Sequence, residues 1–139
     1  MKTSLLTLQQ QIYTRLVNYQ PLMDKITEVF DYVPLLKEGE ESAIIAPYVV
    51  IGNPTVIDWG SKQSQDGEQV SFTLHAWSEF KGKEEVYEIL NLIIDALEEP
   101  LSLDSGFFVY HKKREFIDVI TDPDEFYHGI IRFRFYVTL

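Results

Sequence analysis

The sequence predicts an α+β fold, in which a mainly antiparallel, twisted sheet of about four to five strands carries two amphipathic helices on one face. Two segments repeat apolar residues at helical spacing, and several others alternate apolar and polar residues as half-buried strands do. Strand segments lie both between the two helical segments and after the second. A chain of 139 residues has the usual length of one domain, so we expect a single domain over residues 1–139.

The first helix is predicted between residues 3 and 18, and an extended segment follows it. Apolar residues recur there at helical spacing, at Leu5, Leu8, Ile12 and Leu16. Pro21 ends this pattern, because proline lacks the amide hydrogen that a helix interior needs. Residues 29–33 are then expected to be extended, since Pro34 restricts the residue before it to that conformation.

Two strands are predicted in the middle of the chain. Residues 47–51 are rich in β-forming residues, and Gly52-Asn53-Pro54 marks a turn after them. The charged residues 37–41 predict an exposed loop, and Asp66-Gly67 is a strong hairpin-turn signal. The clearest strand follows, because four apolar residues alternate there with more polar ones, at Val70, Phe72, Leu74 and Ala76.

The second half of the chain predicts a helix and then a hairpin of two long strands. The helix covers about residues 83–98, and Pro100 stops it. The strands lie within residues 107–120 and from about residue 126 to residue 139, with Asp122-Pro123-Asp124 as the turn between them. In the last strand, apolar side chains point to one side, and Arg132, Arg134 and Tyr136 point to the other.

The composition excludes several classes of site. The chain has no cysteine, so disulfides, thiolate metal sites and cysteine nucleophiles are absent. Its 22 acidic and 12 basic side chains give a net charge of −10, which repels nucleic acid at long range. The start of the chain lacks the apolar run of a signal peptide, and no stretch is long enough for a membrane span. We therefore expect no membrane contact.

No pattern predicts a catalytic, cofactor-binding or metal-binding residue. His75, His111 and His128 lie in separate elements without ligand spacing, so a metal site would need tertiary convergence. The residues that follow Asp122 lack the glycine and the glutamate of a calcium loop. Pairs of carboxylates lie in polar runs, where nothing desolvates them as acid–base catalysis requires. His75 lies beside Trp77 on the more polar face of its strand, and this position favours a surface or interface role over catalysis.

Two segments are candidates for contacts with partners. The basic cluster Lys112, Lys113 and Arg114 either protects a strand edge against unwanted pairing or docks to an acidic partner surface. The polar segment 53–69 contains apolar residues that a solvated loop does not need. Either this segment is mobile and orders against a partner, or Ile57 and Trp59 extend a hairpin strand into the core. The contact residues predicted from this segment are Ile57, Asp58, Trp59, Lys62 and Asp66.

Taken in order, these segments resemble the tail completion (tail-to-head joining) family of bacteriophages with long, non-contractile tails. The resemblance covers nearly the whole chain and depends on order and spacing, since no single motif is specific. The matching features are the N-terminal amphipathic helix, Val33-Pro34, Pro47-Tyr48-Val49, Thr73-Leu74-His75-Ala76-Trp77-Ser78, the helix through Leu90 and Ile94, Asp122-Pro123-Asp124, His128-Gly129 and Arg132-Phe133-Arg134.

The resemblance implies a structural protein of the virion, similar in fold to tail terminators, with no catalytic residues and no cofactor. Such a protein is made in the host bacterial cytoplasm and caps the head-proximal end of the tail tube. It joins the tube to the head completion or connector protein as a self-associated ring, commonly a hexamer. DNA passes through the ring without specific binding, and an acidic channel wall would favour that passage.

Two other functions remain open from the residues alone. A head completion or minor capsid protein of the same neck region would share the size, fold class and acidity of this chain. A small cytoplasmic enzyme would need a deep pocket with at least two convergent polar groups of strongly shifted pKa.

Overall fold

The computed structural model describes residues 2–32, 45–61, 64–121 and 126–139. Most of the predicted loop at 35–46, the Val33-Pro34 motif, Lys62 and the Asp122-Pro123-Asp124 turn lie outside the described residues. The described elements, in chain order, are α1 (Leu5–Val17), α2 (Gln20–Met23), β1 (Val29–Phe30), β2 (Tyr48–Ile51), β3 (Thr55–Ser61), β4 (Ser64–Ser78), α3 (Glu84–Ala96), β5 (Phe108–Thr121) and β6 (Tyr127–Thr138).

The strands form one sheet in the order β1-β2-β4-β6-β5. β3 also pairs with β4, along the half of that strand that β2 leaves unpaired. The pairs are antiparallel except for β1 with β2, which is parallel. The predicted α+β class is confirmed, and the described residues form six strands in a mixed sheet and a third, short helix.

The core lies between α1 and α3 and one face of the sheet. The apolar stripe of each helix is buried there, including Leu8, Ile12 and Leu16 of α1 and Val86, Ile89 and Ile93 of α3. The alternation predicted for β6 is confirmed, since its burial follows the period of two expected for a strand with one face in the core. The sheet contributes Val70, Phe72, Leu74, Ala76, Ile131, Phe133, Phe135 and Val137 to this core.

Gly129 in β6 allows α3 to lie close against the sheet. A Cβ atom at this position would lie 2.7 Å from Val86 Cγ2 and 3.1 Å from Leu90 Cδ1, both on α3. Distances this short are not tolerated in a well-packed interior, so these side chains or the helix that carries them would have to move. The glycine therefore fixes the spacing between the helix layer and the sheet.

A buried carboxylate connects α1 to the hairpin of β3 and β4. Glu68 of β4 is 2% exposed, and its Oε2 accepts hydrogen bonds from Ser4 N at 3.1 Å and from Ser4 Oγ at 2.8 Å. Ser4 precedes the first turn of α1, where backbone amides lack helical partners. The acceptor for this amide thus comes from the sheet, which ties the start of the helix to the hairpin.

The predicted position of the hairpin turn is wrong. Asp66-Gly67 lies inside β4, because Ser61 pairs with Ser64 and Trp59 pairs with Gly67. A Cβ atom at Gly67 would lie 2.5 Å from Trp59 Cζ2 and 2.5 Å from Val137 O. This glycine is therefore required for close packing under the indole of Trp59 rather than for a turn.

Candidate functional site

The sheet face opposite the helices is the candidate functional site, and we call it the outer face. The side chains of β4 and β6 that alternate with the core residues lie on it, and they are mostly half-buried. Strand pairing places residues of β3 and β5 on the same face. The outer-face residues of β4 and β6 are Gln69, Ser71, Thr73, His75, Trp77, His128, Ile130, Arg132, Arg134 and Tyr136.

One end of the outer face carries a stack of aromatic rings. The rings of Trp77 and His128 lie nearly parallel, with centroids 3.8 Å apart, and Tyr48 stacks on the other side of Trp77 at 6.4 Å. His75 Nδ1 lies 2.7 Å from His128 Nε2, a hydrogen-bond distance. Burial lowers the pKa of His75 from its ordinary value and raises the pKa of Tyr48.

The centre of the outer face is a polar cluster around Glu115. Arg134 Nε donates to Glu115 Oε1 at 2.6 Å, and Arg134 Nη1 donates to Gln69 Oε1 at 2.8 Å. Desolvation raises the pKa of Glu115, but the hydrogen bond and charge of Arg134, with the charge of Arg132, outweigh it and leave that pKa lowered. The carboxylate is therefore ionised and neutralised by its neighbours, and lacks the raised pKa of a general acid.

A second aromatic group lies at the other end of the face. Trp59 meets Tyr110 edge to face at 6.2 Å, and Tyr110 lies 6.0 Å from Tyr136. His111 lies 5.1 Å from the Tyr136 ring. The indole of Trp59 packs over Gly67, so it lies across β4 with no intervening side chain. The outer face thus presents aromatic surface at both ends and charge in the middle.

β5 forms one edge of the sheet and exposes several apolar residues. It pairs with β6 on one side only among the described strands. Five of its large apolar side chains are 43–62% exposed, namely Phe108, Tyr110, Phe116, Ile117 and Ile120. An exposed strand edge with apolar side chains is a surface for pairing with another chain.

The three basic residues predicted as a cluster on β5 have different environments. Lys113 and Arg114 are exposed. Lys112 Nζ donates to the backbone oxygen of Leu97, just after α3, and lies 5.7 Å from the Phe133 ring centroid. Burial lowers the pKa of Lys112 from its ordinary value. Lys112 therefore makes its contacts within the chain, and only the other two present their charge outwards.

The hairpin residues predicted to contact partners lie on both faces. Ile57, which is 52% exposed, and Trp59 lie on the outer face, opposite Gln69 and Gly67. Asp58 pairs with Glu68 and so lies on the other face, and Asp66 is exposed. The structure gives the hairpin rather than a loop, with Ile57 and Trp59 outside the core. Their contact with a partner stays a prediction.

The ionisable groups of the outer face contact one another. Within residues 2–32, 45–61, 64–121 and 126–139, no three His, Asp or Glu residues are placed to hold a metal ion. Among the helices in those ranges, none has the length and hydrophobicity of a membrane span.

The sequence analysis does not predict the contact of His75 with His128. Ala76 pairs with Gly129, and each histidine lies one residue before a member of that pair, so the two rings become diagonal neighbours. Only the strand register gives this signal.

Solved structures similar to this chain include a virion chain and a bacteriophage protein. A chain of the virion of a native gene transfer agent particle has a TM-score of 0.78, with 19% sequence identity and full coverage of both chains, so it shares the fold. The gp17 protein of bacteriophage SPP1 has a TM-score of 0.61 and 30% identity, covering 96% of this chain and 88% of that one. No curated protein matches the chain.

A family comparison matches nearly the full length of the chain. The model of tail completion protein gp17 matches residues 10–138. The predicted resemblance to phage tail completion proteins is confirmed by this match and by the SPP1 protein. The chain is a structural protein of phage tail assembly and belongs to the tail completion protein gp17 family.

Proposed function

We propose that this protein closes the head-proximal end of a phage tail tube and joins it to the head connector. It acts there as a ring, which we expect to be a hexamer, at the head–tail interface of the virion. Its partners are the tail tube protein, the head completion or connector protein, and other copies of itself. Membership of the gp17 family supports the tail role, and the surfaces of the sheet support the docking.

The observation that carries this proposal is the amount of apolar side chain left uncovered by the fold. The helices cover one sheet face, while the outer face and the β5 edge present aromatic and apolar residues to solvent. Large exposed apolar patches on a folded domain mark surfaces that bind other proteins. A joining protein needs at least two such surfaces, because it contacts the tube on one side and the connector on the other.

The charge of the chain is compatible with a ring around DNA. A net charge of −10 disfavours adhesion to a phosphate backbone. We propose that acidic side chains line the opening, so that DNA passes without specific binding. Replacement of the lumen-facing carboxylates by amides, in assembled particles, is expected to slow DNA ejection, and unchanged ejection would count against this part of the proposal.

The direct test is reconstitution with separated phage parts. The purified protein is mixed with tail tubes and, separately, with tailless heads, and the products are imaged by electron microscopy. We expect the protein at one end of each tube, and tubes so capped to join heads. Binding to heads alone would instead identify a head completion or neck protein.

A matched pair of variants tests whether the hairpin surface takes part. Ile57→Ser removes an exposed apolar side chain from the hairpin, and Leu6→Ser removes one from α1, where the side chain is 71% exposed. Neither change opens a core cavity, so both variants are expected to fold. We expect Ile57→Ser to weaken tube binding and Leu6→Ser to leave it unchanged.

A further inference from the structure

The two ends of the sheet differ in charge and shape, and this difference suggests how copies of the chain associate. One end is the β5 edge, with Lys113 and Arg114 exposed. The other end of the strand order is β1, beside α1. We propose that the β5 edge of one copy docks into a groove at the β1 end of the next copy. This inference rests on the ring of the proposed function and names the surfaces that form it.

The receiving surface is a groove of about 360 Å³ between α1 and β1. Its floor and walls include the aromatic rings of Tyr13, Phe30 and Tyr32, the first and last of which are exposed. Glu28 and Asp31 line it as well, and both are exposed. The groove therefore combines apolar surface with negative charge, and we call it the β1 groove.

The inserting surface combines the complementary properties. Lys113 and Arg114 supply two exposed positive charges on β5. Phe116, Ile117 and Ile120 follow them along the same strand and are 43–47% exposed. Glu115 adds no free negative charge, because Arg134 pairs with it at 2.6 Å. Asp118 is the one exposed acidic residue among these positions, so the two basic side chains outnumber it and the surface keeps a positive charge.

The charge of the β1 groove favours the basic part of β5 from a second copy of the chain as its occupant. The chain carries ten more acidic than basic side chains, so two copies repel each other at most relative orientations. Contact between the basic part of β5 and the acidic groove is an orientation in which that repulsion becomes attraction. Opposite potentials across an interface fix the partner and the register.

The two surfaces lie at different ends of one chain, so the contact is head-to-tail. Such a heterologous contact leaves one free surface on each new copy, and it closes into a ring when the rotation between copies allows. A contact between two β5 edges would stop at a dimer. The proposed geometry therefore gives a closed assembly of many copies from a single kind of interface.

Charge reversal tests the proposal in solution. The first variant is Lys113→Glu with Arg114→Glu, and the second is Glu28→Lys with Asp31→Lys. Sedimentation velocity at low salt is expected to show concentration-dependent association of the wild-type chain, weakened by added salt. Each variant alone is expected to associate about tenfold more weakly or worse, since like charges then face each other. An equimolar mixture is expected to recover association, because each reversed surface meets an opposite one.

A control variant, Lys81→Glu with Lys83→Glu, makes the same charge change at exposed positions before α3. We expect it to associate as the wild-type chain does. Three results would overturn the proposal: a wild-type chain that remains monomeric at every concentration, a mixture that does not recover, or a control that loses as much as the first variant. The proposal would also be overturned if the first variant lost the tail binding of the wild-type chain but kept its self-association, because β5 would then contact a different protein.

The absence of cysteine allows a second, geometric test. Arg114→Cys and Asp31→Cys chains are mixed and oxidised, and we expect a mixed disulfide dimer, while each variant alone gives little product. Stronger cross-linking of Arg114→Cys with itself would show a two-fold contact and exclude the head-to-tail one. Failure of the proposed function gives a different pattern, in which the copies associate as described but do not bind tail tubes.

Discussion

His75 on β4 and His128 on β6 are diagonal neighbours on the outer face, with His75 Nδ1 2.7 Å from His128 Nε2. At this distance one ring must donate a proton and the other must accept it. Full protonation of both rings would place two donors and two positive charges against each other. The pair therefore fits the folded chain only when at least one ring is neutral.

This pair predicts a loss of stability as pH falls through about 6.5. Burial lowers the pKa of His75 in the folded chain, so the unfolded chain binds its proton more readily. Above the ordinary histidine pKa, His75 is neutral in both the folded and the unfolded chain, so it gives the free energy of unfolding no pH dependence. Below it the free energy of unfolding decreases, and the decrease ends once pH falls below the lowered pKa. Thermal unfolding between pH 7.5 and pH 5.5 measures this effect.

The variant His75→Gln is expected to flatten that pH dependence, and His111→Gln serves as its control. His111 is exposed, so its replacement is expected to leave the slope as in the wild-type chain. Equal slopes for all three proteins would show that the histidine pair does not contribute.

Glu115 predicts a pH dependence in a different range. The pKa of Glu115 is lower in the folded chain than its ordinary value. The ion pair with Arg134 therefore adds stability above the ordinary glutamate pKa. This contribution is lost as the pH falls through the pKa of Glu115 in the folded chain. Glu115→Gln is expected to lower the free energy of unfolding by about 1 kcal/mol at pH 7, because the hydrogen bonds to a charged acceptor weaken. Urea titrations at pH 7 and pH 3 are expected to show a smaller difference at pH 3. A difference that persists unchanged at pH 3 would contradict the assignment.

Gly129 predicts a packing defect that a second change relieves. Gly129→Ala places a Cβ atom against Val86 Cγ2 and is expected to cost about 1–3 kcal/mol, as overpacking of a core does. Val86→Ala removes the atom that the new Cβ meets. The double variant is therefore expected to lose less free energy of unfolding than the two single variants lose together. Strict additivity in a double-mutant cycle would show that α3 and β6 are not in such close contact.

Lys112 and Lys113 are adjacent but are expected to respond differently to the same substitution. Lys112→Met keeps the aliphatic stem but leaves Leu97 O without its donor near the end of α3, and is expected to cost about 1 kcal/mol. Lys113→Met changes an exposed side chain and is expected to stay within about 0.5 kcal/mol of the wild type. Chemical denaturation of the two variants measures the difference. Equal losses would indicate that the contact of Lys112 with Leu97 adds no stability.

The long amphipathic elements could be predicted from sequence because one period dominates each of them. α1 and α3 each bury the stripe that their spacing indicates, and β6 buries alternate residues. Glycine gave less reliable information. Asp66-Gly67 has the composition of a hairpin turn, but at Gly67 the absence of a side chain serves Trp59 instead. Both a turn and a close packing contact require glycine, so the sequence alone does not distinguish the two causes.

The candidate site could be predicted only in part, because tertiary pairing determines it. The sequence places His75 beside Trp77 on the more polar face of its strand, but the contact of His75 with His128 depends on the register of β4 with β6. The parallel pairing of β1 with β2 likewise joins segments that are separated along the chain. The three basic residues of β5 look equivalent in sequence, whereas a bulge between Arg114 and Phe116 and the position of α3 give them different neighbours.

β4 has fifteen residues and is hydrogen-bonded along most of its length to β6 on one side. A strand of that length extends for roughly 50 Å. Other strands pair with β4 on both sides, and this pairing restricts bending of the strand. The sheet of this tail assembly protein therefore contains one long strand that keeps the two ends of the outer face at a fixed separation.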